Sequence, residues 1–339
     1  MKQLLSTSQS SSLANTQQRL ICARLLLETG LLFVTFALLA NHFGPESNRS
    51  VLSLAVYVSI LFAQGLVLQR IYMIAHEAAH KKLDPLLWVN DGMGQAVLVS
   101  IFVPLQIYRK IHQFHHGFNR KDISTSALDV FVSPWPITPL IKIICFCLWY
   151  LGVFAGGLFF HSLVSIVLFL CMPVRLARKI SPAFRRWSNR DRLVAWVQFL
   201  SAVAIHVGFS QFLGFSAWVF TFGLPIVSFA WIWSLMVYIF HYNTTLGDYI
   251  RYNVRSINSG RFTRWWLMNF NQHATHHMYP NIPWYELPSK AQELPKAFAE
   301  KNQNVKSIWQ AVLNQFKGPI VVYKQDSNPV PQLFIHWED

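Results

Sequence analysis

Four separated runs of about twenty apolar residues constrain this chain more than any other feature. They cover residues 20–41, 51–75, 193–213 and 217–240. A run of that length, wound as a helix, crosses the roughly 30 Å hydrocarbon core of a bilayer. In lipid a segment must satisfy its own backbone hydrogen bonds, which favours the helix over any open strand. Composition agrees: 53% of the 339 residues are hydrophobic and 13% are charged, against about 25% charged in ordinary soluble domains. The sequence therefore predicts an all-α integral membrane protein with four transmembrane helices.

The connections fix a topology. The polar stretch Gly-Pro-Glu-Ser-Asn-Arg-Ser (44–50) and the short turn at Gly214 link the spans in pairs. Residues 139–172 are apolar for too long to be one span and too briefly to be two. Arg175, Arg178, Lys179, Arg185, Arg186, Arg190 and Arg192 follow directly, and the stretch 101–121 before it is also basic. Loops on the cytoplasmic side carry the Lys/Arg excess. Both flanks then lie inside, and the segment is expected to be a re-entrant or interfacial helical hairpin bent near Gly156 and Gly157. Both termini and the segments 76–136, 174–192 and 241–339 share the cytoplasmic face.

Residues 1–18, rich in Ser and Gln, have no signal-peptide core and read as a disordered cytoplasmic tail. Residues 19–290 form one membrane domain without a linker-like break. Residues 291–339 are cytoplasmic C-terminal helices and a tail; the expected helices are 286–303 and 305–316.

The net charge of +14 suits anionic lipid or an acidic protein partner. Nucleic acid is set aside, because the basic residues flank apolar spans and form no continuous patch. Cys22, Cys145, Cys147 and Cys171 lie in apolar stretches without a Cys-x-x-Cys pair, so no disulfide framework is implied.

Thirteen histidines are present and most are clustered. His76-Glu-Ala-Ala-His80 ends the second span. His112-Gln-Phe-His115-His116 follows a short apolar stretch, and His273-Ala-Thr-His276-His277 follows the fourth span, whose own end carries His241. On a helix, positions i, i+3 and i+4 share a face with Cβ atoms about 5–6 Å apart. Each cluster thus aims two or three imidazoles at one point, and neutral imidazole suits iron, zinc, copper and nickel. Eight nitrogens exceed one ion's needs, whereas two ions with open positions fit. His161 and His206, alone in apolar runs, read as packing residues, and His42 and His336 as loop and tail residues.

His76-Glu77-x-x-His80 also matches the zinc metalloprotease signature His-Glu-x-x-His, with Glu as general base. Asn90-Asp91-Gly92 resembles part of an intramembrane protease's third-ligand motif. That aspartate lies only eleven residues past His80, and the reading leaves two clusters unexplained. Glu77 is better taken as a partner orienting a ligand imidazole, or as a solvated residue.

The boxes H-x3-H, H-x2-H-H and H-x2-H-H resemble those of the membrane fatty acid desaturase family, part of a superfamily of histidine-box di-iron desaturases and hydroxylases. The similarity extends through Trp266-Leu-Met-Asn-Phe-Asn-Gln-His-Ala-Thr-His-His-Met-Tyr-Pro280 and on through Asn281-Ile-Pro-Trp-Tyr-Glu-Leu-Pro288, and covers roughly residues 50–290. The resemblance implies that His76, His80, His112, His115, His116, His273, His276 and His277 are ligands of two iron ions, with His241 as a ninth. It implies a non-haem di-iron oxidoreductase that uses dioxygen and two electrons to desaturate an acyl-lipid or acyl-CoA. Carotenoid or lipid hydroxylases and ketolases share the boxes and stand as the alternative, and the zinc protease ranks third.

No fused cytochrome, nucleotide fingerprint or iron–sulfur pattern is present in the sequence, so the electron donor is expected to be external, a ferredoxin or a b-type cytochrome. The expected membrane is a bacterial inner membrane, or the endoplasmic reticulum in a eukaryote. Arg251, Arg255 and Arg261 have the charge to meet a headgroup phosphate, but the basic flank of a span is the simpler account.

Overall fold

A computed structural model describes residues 2–44, 50–123, 129–157, 165–180, 182–295, 302 and 305–324. His161 and His336 lie outside the described residues. In chain order the main elements are α1 (Lys2–His42), α2 (Val51–Ala79), α3 (Leu87–Val99), α4 (Leu105–Phe118), β1 (Val130–Ser133), α5 (Pro139–Phe154), α6 (Val174–Ile180) and α7 (Asn189–Leu213). They continue with α8 (Phe215–Val237), α9 (Arg261–Trp266), α10 (His273–Met278), α11 (Ile308–Asn314) and β2 (Ile320–Tyr323). α1 is helical from Lys2, through the polar stretch that sequence reading leaves unstructured.

Four of these helices are long and apolar enough to cross a membrane: Ala14–His42, Val51–Ala79, Asn189–Leu213 and Phe215–Val237. They coincide with the four expected spans to within a few residues at most ends. α8 carries a π-helical turn at Val219–Gly223.

The chain divides into two compact units, 1–108 with 193–229, and 109–192 with 230–339. In the first, α2 packs on α1 and on α3. Ser50 caps α2 by accepting from the Ser53 amide at 3.1 Å, meeting one of the amides a helix start leaves unpaired. Gln64 donates to the Phe33 carbonyl at 3.3 Å, and Arg70 donates to Thr29 at 3.2 Å with Glu28 at 3.6 Å. These bonds tie α2 to α1 at positions where an unpaired polar group would be costly. Gly94 lets α3 close on α2, since a Cβ there would sit 2.9 Å from that of Ala78.

After α2 the chain reverses around the buried Asn90. Its side chain accepts from the Leu83 amide at 2.9 Å and donates to the carbonyls of Asp84 and Leu86 at 2.7 and 2.9 Å. Asn90 is thus a turn-stitching residue, and Asp91 beside it is exposed. The protease-like triplet has this local structural account. His206 is a packing residue as expected: its Nε2 lies 3.0 Å from the Val99 carbonyl, and its ring stacks on Phe102.

The second unit contains a feature the sequence reading missed. β1 and β2 pair in parallel, Val130 opposite Ile320 through Ser133 opposite Tyr323, so the fold is mostly rather than wholly helical. Four-residue strands are too short to register as an alternating pattern. The C-terminal stretch holds β2 in place by hydrogen bonds from Trp149 to Gln315, Tyr150 to Phe316 and Tyr242 to Gly318, at 2.7–2.9 Å.

Over the described residues 286–295 the expected helix is broken, and most of 296–303 lies outside the described residues. Short turns at Trp284–Glu286, Leu287–Lys290 and Ala291–Glu293 replace its first part. Pro288 and Pro295 account for this, because proline removes a helix donor and crowds the preceding turn. The second expected helix is present as α11. The stretch expected to form a hairpin contains α5 and a left-handed Gly156 (φ 93°), and its residues 158–164 lie outside the described residues.

Candidate metal centre

The second unit brings seven of the nine expected ligands together in two groups. His112, His116 and His276 form one; His115, His241, His273 and His277 form the other. Within each group the candidate ligand nitrogens lie within 4.8 Å of one another. α4 supplies members of both groups because positions 112 and 116 are one turn apart, while 115 lies at the adjacent angle. α10 divides its histidines in the same way.

The contacts run between Nε2 atoms. His116 lies 3.1 Å from His112 and 3.0 Å from His276. His115 lies 3.2 Å from His277, and His241 lies 3.0 Å from His273. One Nε2 carries either a proton or a lone pair, in a single direction. His116 therefore cannot satisfy both neighbours by hydrogen bonding. A cation can satisfy them all: with metal–nitrogen bonds of about 2.1 Å, adjacent ligand nitrogens sit about 3.0–3.4 Å apart. The residues present fit metal ions.

Electrostatics favour the same use. Burial holds His241 and His277 well below the ordinary imidazole range, and neighbouring imidazoles push in the same direction. Burial lowers His115 to about 4. Neutral imidazoles with free lone pairs are the form that binds metal.

His76 and His80 belong to the first unit. They sit one turn apart at the end of α2, ring centroids 5.0 Å apart, as the box spacing requires. Glu77 between them is 2% exposed, which removes the solvated reading of that residue.

A buried polar lattice, not foreseen from sequence, braces the segments that carry ligands. Asn119 and Arg120 lie three and four residues past the second box. Asn119 donates to the carbonyls of Ile250 and Asn253 at 2.8 and 2.9 Å. Arg120 donates to Thr244 and Thr245 carbonyls and pairs with Asp129, which accepts from the Asn243 amide. Asn253 donates to the carbonyls of Arg120 and Gly247 and accepts from the Thr245 hydroxyl at 2.7 Å. Asn302 bridges Thr245 and Tyr252.

Ahead of the third box, Ile257 and Asn271 bond reciprocally, and Ser256 accepts from the Ala274 amide at 3.1 Å. Met268 and Asn269 are both left-handed there (φ 50° and 58°), a conformation that side chains rarely adopt. The one signal in the sequence was the position of Asn119 and Arg120, within one helical turn of a box.

Arg255 corrects an expectation. It is not a solvated flank: it is 2% exposed and donates to the carbonyls of Tyr242 and Asn243. Arg251 and Arg261 are exposed, as a flank would be.

Comparison with known proteins gives the family. The chain is 25% identical over 271 residues to an acyl-lipid (9+3)-(E)-desaturase of Dimorphotheca sinuata, covering 72% of this chain and 67% of that protein. It is 22% identical to a Δ12 fatty acid desaturase of Arabidopsis thaliana over 66% of this chain and 61% of the relative. A fatty acid conjugase of Calendula officinalis is 23% identical over 73% and 68%. The chain thus spans about two thirds of the length of these relatives. The family model for fatty acid desaturases matches residues 52–309, a stretch that takes in all three boxes and His241. With that match over most of its length, this chain belongs to the fatty acid desaturase family.

Proposed function

We propose that the protein is a membrane-bound, non-haem di-iron oxidoreductase that introduces a C=C bond into a fatty acyl chain carried on a lipid or on CoA. The observation that carries this reading is the convergence of imidazole Nε2 atoms on two neighbouring points, in a chain of this family. The relatives are named for desaturation and conjugation of fatty acids. They support double-bond formation over hydroxylation, and the Dimorphotheca protein supports an acyl-lipid substrate.

In this reading the first box adds His76 and His80 to the ligands of the two irons, and His112, His116 and His276 hold one of the ions. His115, His241, His273 and His277 hold the other. The bound irons supply activation of dioxygen for abstraction of hydrogen from an unactivated carbon. The balance is one CH2–CH2 pair, one dioxygen, two electrons and two protons giving one CH=CH and two waters.

The chain's part is to fix the ligands, exclude water and place one C–H bond beside the centre. Glu77, buried between two ligands, orients an imidazole. The two electrons come from an external ferredoxin or b-type cytochrome docked on the basic cytoplasmic face. Both termini and the boxes are cytoplasmic, in a helical cap, and residues 139–172 form a hairpin that enters and leaves that face. The membrane is a bacterial inner membrane or the endoplasmic reticulum.

The test is expression in a host with simple lipids, followed by mass analysis of its fatty acids and carotenoids and a metal count on the purified chain. The expected result is a new acyl double bond and about two irons per chain. A hydroxylated or oxidised product without a new double bond would move the protein to the hydroxylase alternative. A single zinc without iron would favour the protease. His115→Ala should abolish product while the chain remains membrane-inserted; full activity in that variant would refute the ligand set.

A further inference from the structure

The second unit holds a small cavity of about 140 Å³ that plays no part in the histidine site. It is lined by Tyr242, Asn243, Arg255, Gln310, Asn314 and Lys317. Arg255 and Tyr242 are buried, while Asn243, Gln310 and Lys317 are exposed, so the cavity has a buried cationic wall and an open polar rim. A water takes about 30 Å³, so the space admits a tetrahedral oxyanion with accompanying water.

The charge balance around it is incomplete. Arg120, Arg255 and Asp129 are each no more than 2% exposed. Two buried guanidinium groups share one carboxylate, and that carboxylate already pairs with Arg120. Among the described residues a net positive charge is left buried, which costs several kcal/mol unless a partner of opposite sign is supplied.

Arg255 uses Nη2 on the carbonyls of Tyr242 and Asn243, while its buried Nε meets no acceptor among the described residues. Burial and the field of Arg120 both lower its proton affinity, the mark of a cation short of counter-charge. On the rim, Gln310 has its Oε1 occupied by the Lys306 amide at 2.7 Å. That leaves its NH2 end as the donor to the cavity, which Lys317 also lines.

We infer that this cavity is a binding site for a phosphate-type oxyanion, held between Arg255 at its wall and Lys317 and Gln310 at its rim. A tetrahedral anion offers oxygens in several directions at once, which matches donors arriving from two stretches of chain, 242–255 and 310–317. Guanidinium and ammonium groups are both established phosphate partners. The anion is either free phosphate or the phosphodiester of a phospholipid. The inference does not depend on the proposed oxidation chemistry, and its test needs no turnover.

The experiment uses the full chain purified in an uncharged detergent. Inorganic phosphate is titrated against sodium chloride of matched ionic strength while thermal unfolding is followed, and retained phospholipid is measured by phosphorus analysis. Arg255→Gln risks misfolding, because the side chain also ties two carbonyls. The deciding variant is therefore Lys317→Gln combined with Gln310→Ala, both on the exposed rim.

Either a phosphate-specific rise in melting temperature or phospholipid retained in stoichiometric amount is expected, and the two arms distinguish free anion from headgroup. The rim variant should weaken phosphate binding about tenfold or lose the retained lipid, with iron content unchanged. Equal stabilisation by chloride with no retained lipid would overturn the proposal. So would an undiminished effect in the rim variant.

Discussion

Asn253→Ala tests whether the buried lattice holds the ligands in place. The side chain makes three short bonds, donating to Arg120 and Gly247 carbonyls at 3.1 and 2.9 Å and accepting from Thr245 at 2.7 Å. Asn253 is 1% exposed, so water cannot readily replace what is lost. A buried group left unmet costs about 1–3 kcal/mol, and partial relaxation brings the sum to about 3 kcal/mol. For a chain of this size that lowers the melting temperature by about 4 °C.

The functional consequence is larger than the stability loss. Arg120 lies four residues past His116 and Thr245 four past His241, so the amide joins segments that carry ligands of both groups. Iron retained after dialysis against a mild chelator should fall clearly below that of the unmodified chain. Gln113→Ala, at an exposed position between two ligands on the same helix, is the control and should change neither quantity. If Asn253→Ala melts within about 1 °C of the parent and keeps its metal, the lattice does not brace the centre.

Three further outcomes follow from the geometry. His116→Ala and His115→Ala remove ligands from different groups, so each should lower the iron count by about one before the second ion is lost; identical metal-free products at every chelator concentration would argue for one shared site. The metal-free protein should lose stability as pH falls below 6.5, because His115, His241 and His277 have folded-state affinities for protons below those of the unfolded chain. Above 6.5 this contribution is flat, and for His115 the loss continues down to about pH 4; a melting temperature unchanged between pH 7 and 5 would contradict it. Gly318→Ala should destabilise by at least about 1 kcal/mol, since Gly318 has φ 83° and a Cβ there would meet the Phe146 ring; circular-dichroism melts would show it, and a neutral result would mean the turn before β2 can be rebuilt.

The sequence by itself determined the features that are local and periodic. Twenty apolar residues in a row have few structural solutions in lipid, so the four spans are legible from length alone. Histidines three and four apart must share a helix face, so each box could be read as a ligand cluster before any fold was known. Tertiary structure decided how seven histidines sort into two groups, because that depends on the angle at which α10 and the chain at His241 meet α4. It decided that Arg255 is buried and that Asn253 and Arg120 brace the ligand segments. Their partners are backbone carbonyls up to 134 residues away, and a carbonyl leaves no trace in the identity of the residue that carries it. The β1–β2 pair was hidden for the same reason: four residues hold too little pattern to announce a strand until the partner strand lies beside them.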